Sequence, residues 1–178
     1  MDDQRYTPSS PCESSEPAQV LRPLTAHVFA DVQQVLDDWA ELEALAPAPL
    51  YQTRRFAIPW LDTMGQASAI TPFIVLLRDA SGAPVALFPF GLRKAQGIRR
   101  IEFLGGRDSN SNMGLFRPGF EADGATLKRL LIEAARTSGL RPDAYALSNQ
   151  PLSWEDFANP LSLLPHQASP SFCHSAEL

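Results

Sequence analysis

Between Phe103 and Phe116 the chain reads FLGGRDSNSNMGLF, and the side chains best equipped for chemistry gather there. Arg107, Asp108, Asn110 and Asn112 place a guanidinium, a carboxylate and two carboxamides within one short polar stretch. Such a set could line a polar substrate pocket, with Trp60 stacking on its occupant. A structural role is the competing reading. Asn, Asp and Ser bond their own backbone in turns, while glycine supplies positive φ. A third use, cradling a phosphate, needs backbone N–H groups and the positive end of a helix together. Gly105 and Gly106 supply the flexible turn, but MGLFRPGFEAD separates them from the next helical pattern. Glu121 and Asp123 flank the start of that helix and would repel a phosphate. No P-loop spacing occurs anywhere. The reading is therefore no cofactor-binding residues, no assigned catalytic residue, and a substrate-binding candidate set of Arg107, Asp108, Asn110, Asn112 and Trp60.

Other reactive side chains make poorer sites. Cys173 and His174 are adjacent, and in extended chain neighbouring side chains point to opposite faces, which is wrong for a nucleophile and its base. His27 falls in a strand pattern, as a partly buried, hydrogen-bonded residue, and His166 falls in a proline-flanked loop. Tyr145 could protonate a leaving thiolate, yet it reads more simply as packing. With two cysteines far apart, Cys12 and Cys173, neither a disulfide framework nor a metal site is expected. Arg54, Arg55, Arg93, Lys94, Arg99 and Arg100 could attract an anion, although hairpin ends are solvated in any case.

The elements that must position the loop are readable from periodicity. TAHVFA (Thr25 to Ala30) is a strand pattern. Asp31, with Gln34 three residues on, forms a capping-box pattern for a helix in which Val32, Val35, Leu36, Trp39, Leu42 and Leu45 follow helical spacing while Asp37, Asp38, Glu41 and Glu43 point elsewhere. Pro59 suits the first turn of a second helix, with Phe56, Trp60 and Met64 on one side and Gly65 as its stop. Three apolar runs follow, Pro72–Arg78, Pro84–Arg93 and Ile98–Gly105. The turns between them are too short for anything but antiparallel neighbours. Pro84 and Pro89 predict a bulge or break in the middle strand. Asp123 caps a helix with the stripe Leu127, Leu130, Leu131 and Ala134, ended by Gly139. Asp143–Asn149 is the strand reached by this crossover, and SWEDFA is a short helix candidate.

Size and composition fit one folded domain of about 128 residues between a leader and a tail: 23–150, with 1–22 a disordered leader and 151–178 an irregular tail. Hydrophobic residues make up 44% and charged residues 20% of 178, the balance of a soluble globular chain. A net charge of −5 speaks against a nucleic-acid surface. The acidic, Ser/Pro-rich start lacks the pattern of a secretory signal, and no run is long enough for a membrane span, so a cytoplasmic location is expected.

The element order defines an α+β fold with a mixed, mainly antiparallel sheet flanked by helices. That order resembles the GNAT acyltransferase fold (acyl-CoA N-acyltransferase). FAIPWLDTM, VLLRDASGAPVALFPFGLR and FLGGRDSNSNMGLF further resemble the N-terminal GNAT-like half of CelD-type, cellulose-biosynthesis-associated proteins, over roughly Thr25 to Asn149. The resemblance implies acyl transfer from acyl-CoA to a small-molecule amine, with the cofactor held by a second GNAT-like unit or another copy. The family's Q/R-x-x-G-x-G/A cofactor loop is missing from the stretch after Phe103. The resemblance thus implies the substrate-side half of a two-unit enzyme, incomplete at its C-terminus and inactive alone. A non-catalytic scaffold module and a truncated fragment are the alternatives.

Overall fold

A computed structural model describes residues 23–169. The expected leader, Cys12 and the Cys173–His174 pair lie outside the described residues. The chain is α+β. In order it forms β1 (Thr25–Phe29), α1 (Leu36–Leu45), α2 (Arg54–Trp60), β2 (Thr71–Arg78), β3 (Pro84–Ala95), β4 (Ile98–Phe103), β5 (Leu115–Phe116), α3 (Gly124–Thr137), β6 (Ala144–Tyr145), β7 (Ser153–Trp154) and β8 (Phe157–Ala158). The main sheet runs β1-β2-β3-β4-β6, with β5 also pairing with β3. All its pairs are antiparallel except β4–β6, which α3 makes parallel by carrying the chain back across the sheet.

Both faces of the sheet are covered, which is why β2 and β3 read as nearly unbroken apolar runs. Alternate residues serve opposite faces. Phe73, Val75, Leu77, Phe88 and Phe90 pack with Leu127, Leu130, Leu131 and Ala134 of α3. Ile74, Leu76 and Leu87 pack with Trp39 and Leu42 of α1 and Ala57 of α2. Phe88, Phe90 and Phe116 continue the first core as an aromatic cluster, and Phe157 of the tail stacks on Phe116 with ring centres 5.6 Å apart.

The middle strand answers its two prolines differently. Arg78 faces Pro84 while Leu77 faces Ala86, so Val85 is an extra, bulged residue. At Pro89 the ladder with β2 is unbroken, Ile74 opposite Pro89. The Pro89 carbonyl accepts a bond from Leu104 N–H, 2.9 Å, on the far edge of β3. A strand residue's N and C=O point to the same edge, so the missing Pro89 N–H also falls there. That edge is where β4 (paired with Phe90–Ala95) and β5 (paired with Ala86–Leu87) part. The polar loop leaves through this gap.

Several helical expectations shift. Asp31 does cap a helical segment, accepting from Gln33 N–H at 2.9 Å, but Val32–Val35 is a 3-10 turn that precedes α1. Leu45 is exposed. Pro59 lies near the end of α2, because Thr53 takes the N-cap position and Phe56 N–H bonds its carbonyl. The helix then widens into a π-turn at Leu61–Gly65, and Thr63 Oγ1 donates to the Pro59 carbonyl at 2.7 Å. The buried stripe is Ala57, Leu61 and Gly65, one position on from Phe56, Trp60 and Met64. SWEDFA is not a helix: Ser153–Ala158 forms the β7–β8 hairpin, with Glu155 at φ 50° in its tight turn. Of Asp143–Asn149, only Ala144–Tyr145 is regular strand. Among the described residues, no helix is long and apolar enough to cross a membrane.

Candidate functional site

The loop from Leu104 to Gly114 begins as a forced turn. Gly105 and Gly106 adopt φ of 96° and 50°, in the left-handed region that glycine enters without a Cβ penalty. A Cβ on Gly105 would also lie 2.9 Å from Ser109 Cβ and 3.3 Å from the Phe56 ring. Both glycines therefore let the backbone lie against the aromatic side of α2. A single 3-10 turn, Gly106–Asp108, follows, closed by Asp108 N–H on the Gly105 carbonyl at 2.8 Å.

This turn brings two of the expected site residues together. The half-buried Trp60 donates its indole N–H to Asp108 Oδ2 at 2.9 Å. Asp108 and Asn110 are exposed beside it. The Arg107 backbone lies in the same turn, while its side chain lies outside what the structure describes. Tyr51 meets Phe56 edge to face, ring centres 5.0 Å apart, and extends the aromatic wall under the loop.

Asn112 belongs to a different environment. It is 1% exposed and acts as the hub of a buried polar network. Its Oδ1 accepts from Gln52 Nε2 at 3.1 Å and from Ser109 Oγ at 2.6 Å, and its Nδ2 donates to the Ser148 carbonyl at 3.1 Å. Asn112 N–H bonds the Asn149 carbonyl, and Asn149 Nδ2 returns a bond to the Ser109 carbonyl at 2.9 Å. Gln52 in turn accepts the Trp39 indole N–H at its carbonyl, 3.0 Å. The network thus stitches the loop to α1, to the turn before α2, and to the chain after β6. Its cost is one orphan: Gln52 Oε1 is buried without a hydrogen-bond partner. Sequence reasoning missed Gln52, Ser109, Ser148 and Asn149. No periodicity marks Gln52, and only the concentration of Ser and Asn in the loop hints at a network.

The start of α3 is occupied by the protein itself. Asp123 Oδ1 accepts from Thr126 N–H at 2.6 Å, and this bond first of all holds its carboxyl below the ordinary range. Gly124 packs so closely that a Cβ would lie 2.6 Å from the Leu163 carbonyl. The tail therefore lies over the helix start, and the Gly105–Gly106 turn leads into no long helix.

The remaining candidates are accounted for. His27 is exposed, not partly buried, with its ring 3.2 Å from Thr25 Oγ1. His166 sits in an exposed loop beside the Leu164 carbonyl, 2.8 Å. Tyr145 donates its hydroxyl to the Leu131 carbonyl at 2.6 Å, and burial pushes its pKa up, so it packs as a neutral phenol. Arg93 and Arg100 both approach Glu102, Arg54 pairs with Glu43, and Arg99 pairs with Asp143. Among the described residues no three His, Cys, Asp or Glu side chains group to hold a metal. No family model, curated protein or solved structure matches the chain.

Proposed function

We propose that this chain is a GNAT-like domain that forms the substrate-side wall of an N-acyltransferase assembly, with acyl-CoA seated by a second unit. The observation that carries the reading is the strand order. Two helices lead into an antiparallel meander, and a crossover helix returns the chain to lie parallel to the meander's last strand. A polar loop leaves that last strand, where such a fold places its ligand cleft. The lack of a cofactor seat rests on the helix start: the Asp123 carboxylate already holds the Thr126 N–H, and a diphosphate would meet that negative charge. In this reading Trp60, Asp108 and Asn110 face a small amine, while Asn112 fixes the wall from behind. A cytoplasmic setting goes with this assignment.

A scaffold module without catalysis is the second reading. The buried network around Asn112 favours it, since it holds the loop rigid by structural bonds alone. Two titrations test these readings, and the second separates them. Calorimetry of the full chain with acetyl-CoA is expected to give no saturable heat; saturable binding would overturn the missing cofactor seat. The Trp60 indole N–H resonance is expected to move saturably with butylamine as the probe. If butylamine leaves that resonance unmoved, the substrate wall is lost and the scaffold reading stands.

A further inference from the structure

The sheet stops, among the described residues, at β6. Ala144–Tyr145 bonds to β4 on one side, and among the described residues no strand borders its other side. An unpaired strand edge offers backbone donors and acceptors to another chain. Beside this edge an open cleft of about 430 Å³ runs between β6 and the last turns of α3. Ile132, Ala135, Ala144 and Tyr145 give it an apolar surface, and Ile132 is 37% exposed. The Tyr145 hydroxyl is spent on the Leu131 carbonyl, so its ring contributes as an apolar group.

The cleft also carries charge. Arg136 and Arg141 line it, both are exposed, and neither is ion-paired among the described residues. Asp143 also lines it, but its carboxylate is engaged by Arg99. Arg99 N–H donates to Asp143 Oδ2 at 2.7 Å, and Arg99 Nη2 lies 3.6 Å from Oδ1. The field at this place is therefore positive on a chain whose net charge is −5. Arg136 stands in the last turn of α3 and Arg141 in the link from α3 to β6, whereas Ile132 lies a turn earlier in α3 and Tyr145 at the end of β6.

We infer that the β6 edge and its cleft bind an extended segment of a partner protein, apolar along one part and acidic at one end. The segment adds as a strand beside β6, places alternate apolar side chains over Ile132, Ala135 and Tyr145, and pairs its carboxylates with Arg136 and Arg141. Main-chain bonds give such strand addition its affinity and the side-chain pockets give it specificity. This assignment does not depend on acyl transfer.

The test uses the full chain and end-blocked, fluorescently labelled peptides, VTVTVEE and EEVTVTV, with VTVTVQQ, QQVTVTV, VTVTVKK and KKVTVTV as controls. Anisotropy is expected to show saturable binding of one acidic peptide, weaker binding of its glutamine version, and none of the lysine version. The double variant Arg136→Glu/Arg141→Glu is expected to weaken the acidic peptide by about tenfold, from two exposed ion pairs lost and reversed. Arg136→Gln/Arg141→Asn serves as the second variant, because Asn tolerates the φ of 50° at residue 141. Equal binding of acidic and glutamine peptides, or binding indifferent to both double variants, overturns the inference. So does self-association that either double variant abolishes while no peptide binds, an outcome that gives the edge to a second copy of this chain.

Discussion

Replacing Asn112 by alanine removes the hub that joins the loop to the rest of the molecule, and the cost can be worked group by group. Three partners of its side chain are affected unequally. Gln52 Nε2 loses the acceptor it has at 3.1 Å, inside a residue that is fully buried and already carries one orphan oxygen. Ser109 Oγ loses a 2.6 Å bond but keeps the Ser111 carbonyl within 3.3 Å. The Ser148 carbonyl belongs to an exposed residue and can turn to water. A buried polar group stranded without a partner costs about 1–3 kcal/mol, and a truncated side chain adds a small void. The sum is about 2–4 kcal/mol, dominated by Gln52. For a chain of this size that lowers Tm by about 5–15 °C. Urea unfolding of Asn112→Ala should move the midpoint with its slope unchanged. Gln52→Leu removes both the stranded donor and the orphan acceptor, so Asn112→Ala should cost about 1–2 kcal/mol less in that background. A loss below about 1 kcal/mol in the single variant, or strict additivity in the double, would refute the view that this network fixes the loop.

Two further measurements probe local chemistry. Gly105→Ala should destabilise by about 2–4 kcal/mol, since positive φ and a tight approach act together. Gly97→Ala, also at positive φ (81°) but with nothing within 4 Å, should lose only about 1 kcal/mol in the same chemical melt, and equal losses would deny the close packing of Gly105 on Phe56 and Ser109. Acid should act through Asp79, Asp123 and Asp143. Their pKa values are lowered below 3.8 by, first, the Ser81 side chain, the Thr126 backbone N–H and the Arg99 backbone N–H respectively. A lowered folded-state pKa means that the stabilisation is complete above pH 3.8 and is lost as pH falls below it through the folded values. Thermal melts should therefore be level on this account from pH 7 to pH 5 and fall below pH 4, and a triple Asp→Asn variant should show a shallower acid fall.

Periodicity carried much of the fold. The α3 stripe is legible because apolar residues at helical spacing have only one face to bury, and Asp123 and Gly139 mark its ends through local backbone bonding. The meander is legible because short turns between apolar runs permit only antiparallel neighbours. Phe56 and Trp60 show where periodicity stops being enough. Their spacing marks a buried face, yet Ala57, Leu61 and Gly65 fill the core while the aromatics turn to the glycine loop. Both faces satisfy the same spacing, and only the neighbouring loop chooses between them. SWEDFA misleads for a related reason. In six residues the helix bonds cannot outweigh the pairing of Trp154 with Phe157 and the stacking of Phe157 on Phe116.

The candidate site divides along the same line. By itself the sequence determined that polar, turn-forming side chains follow β4, that the glycines permit a sharp reversal, and that a carboxylate stands at the head of α3. These are local facts, set by backbone stereochemistry and near-neighbour bonding. Tertiary structure alone decided that Asp108 meets Trp60 while Asn112 sinks beneath the loop to reach Gln52 and Ser148. Those partners are brought together by the closing of the sheet between its helices, and long-range contacts of single polar atoms leave no period in a chain.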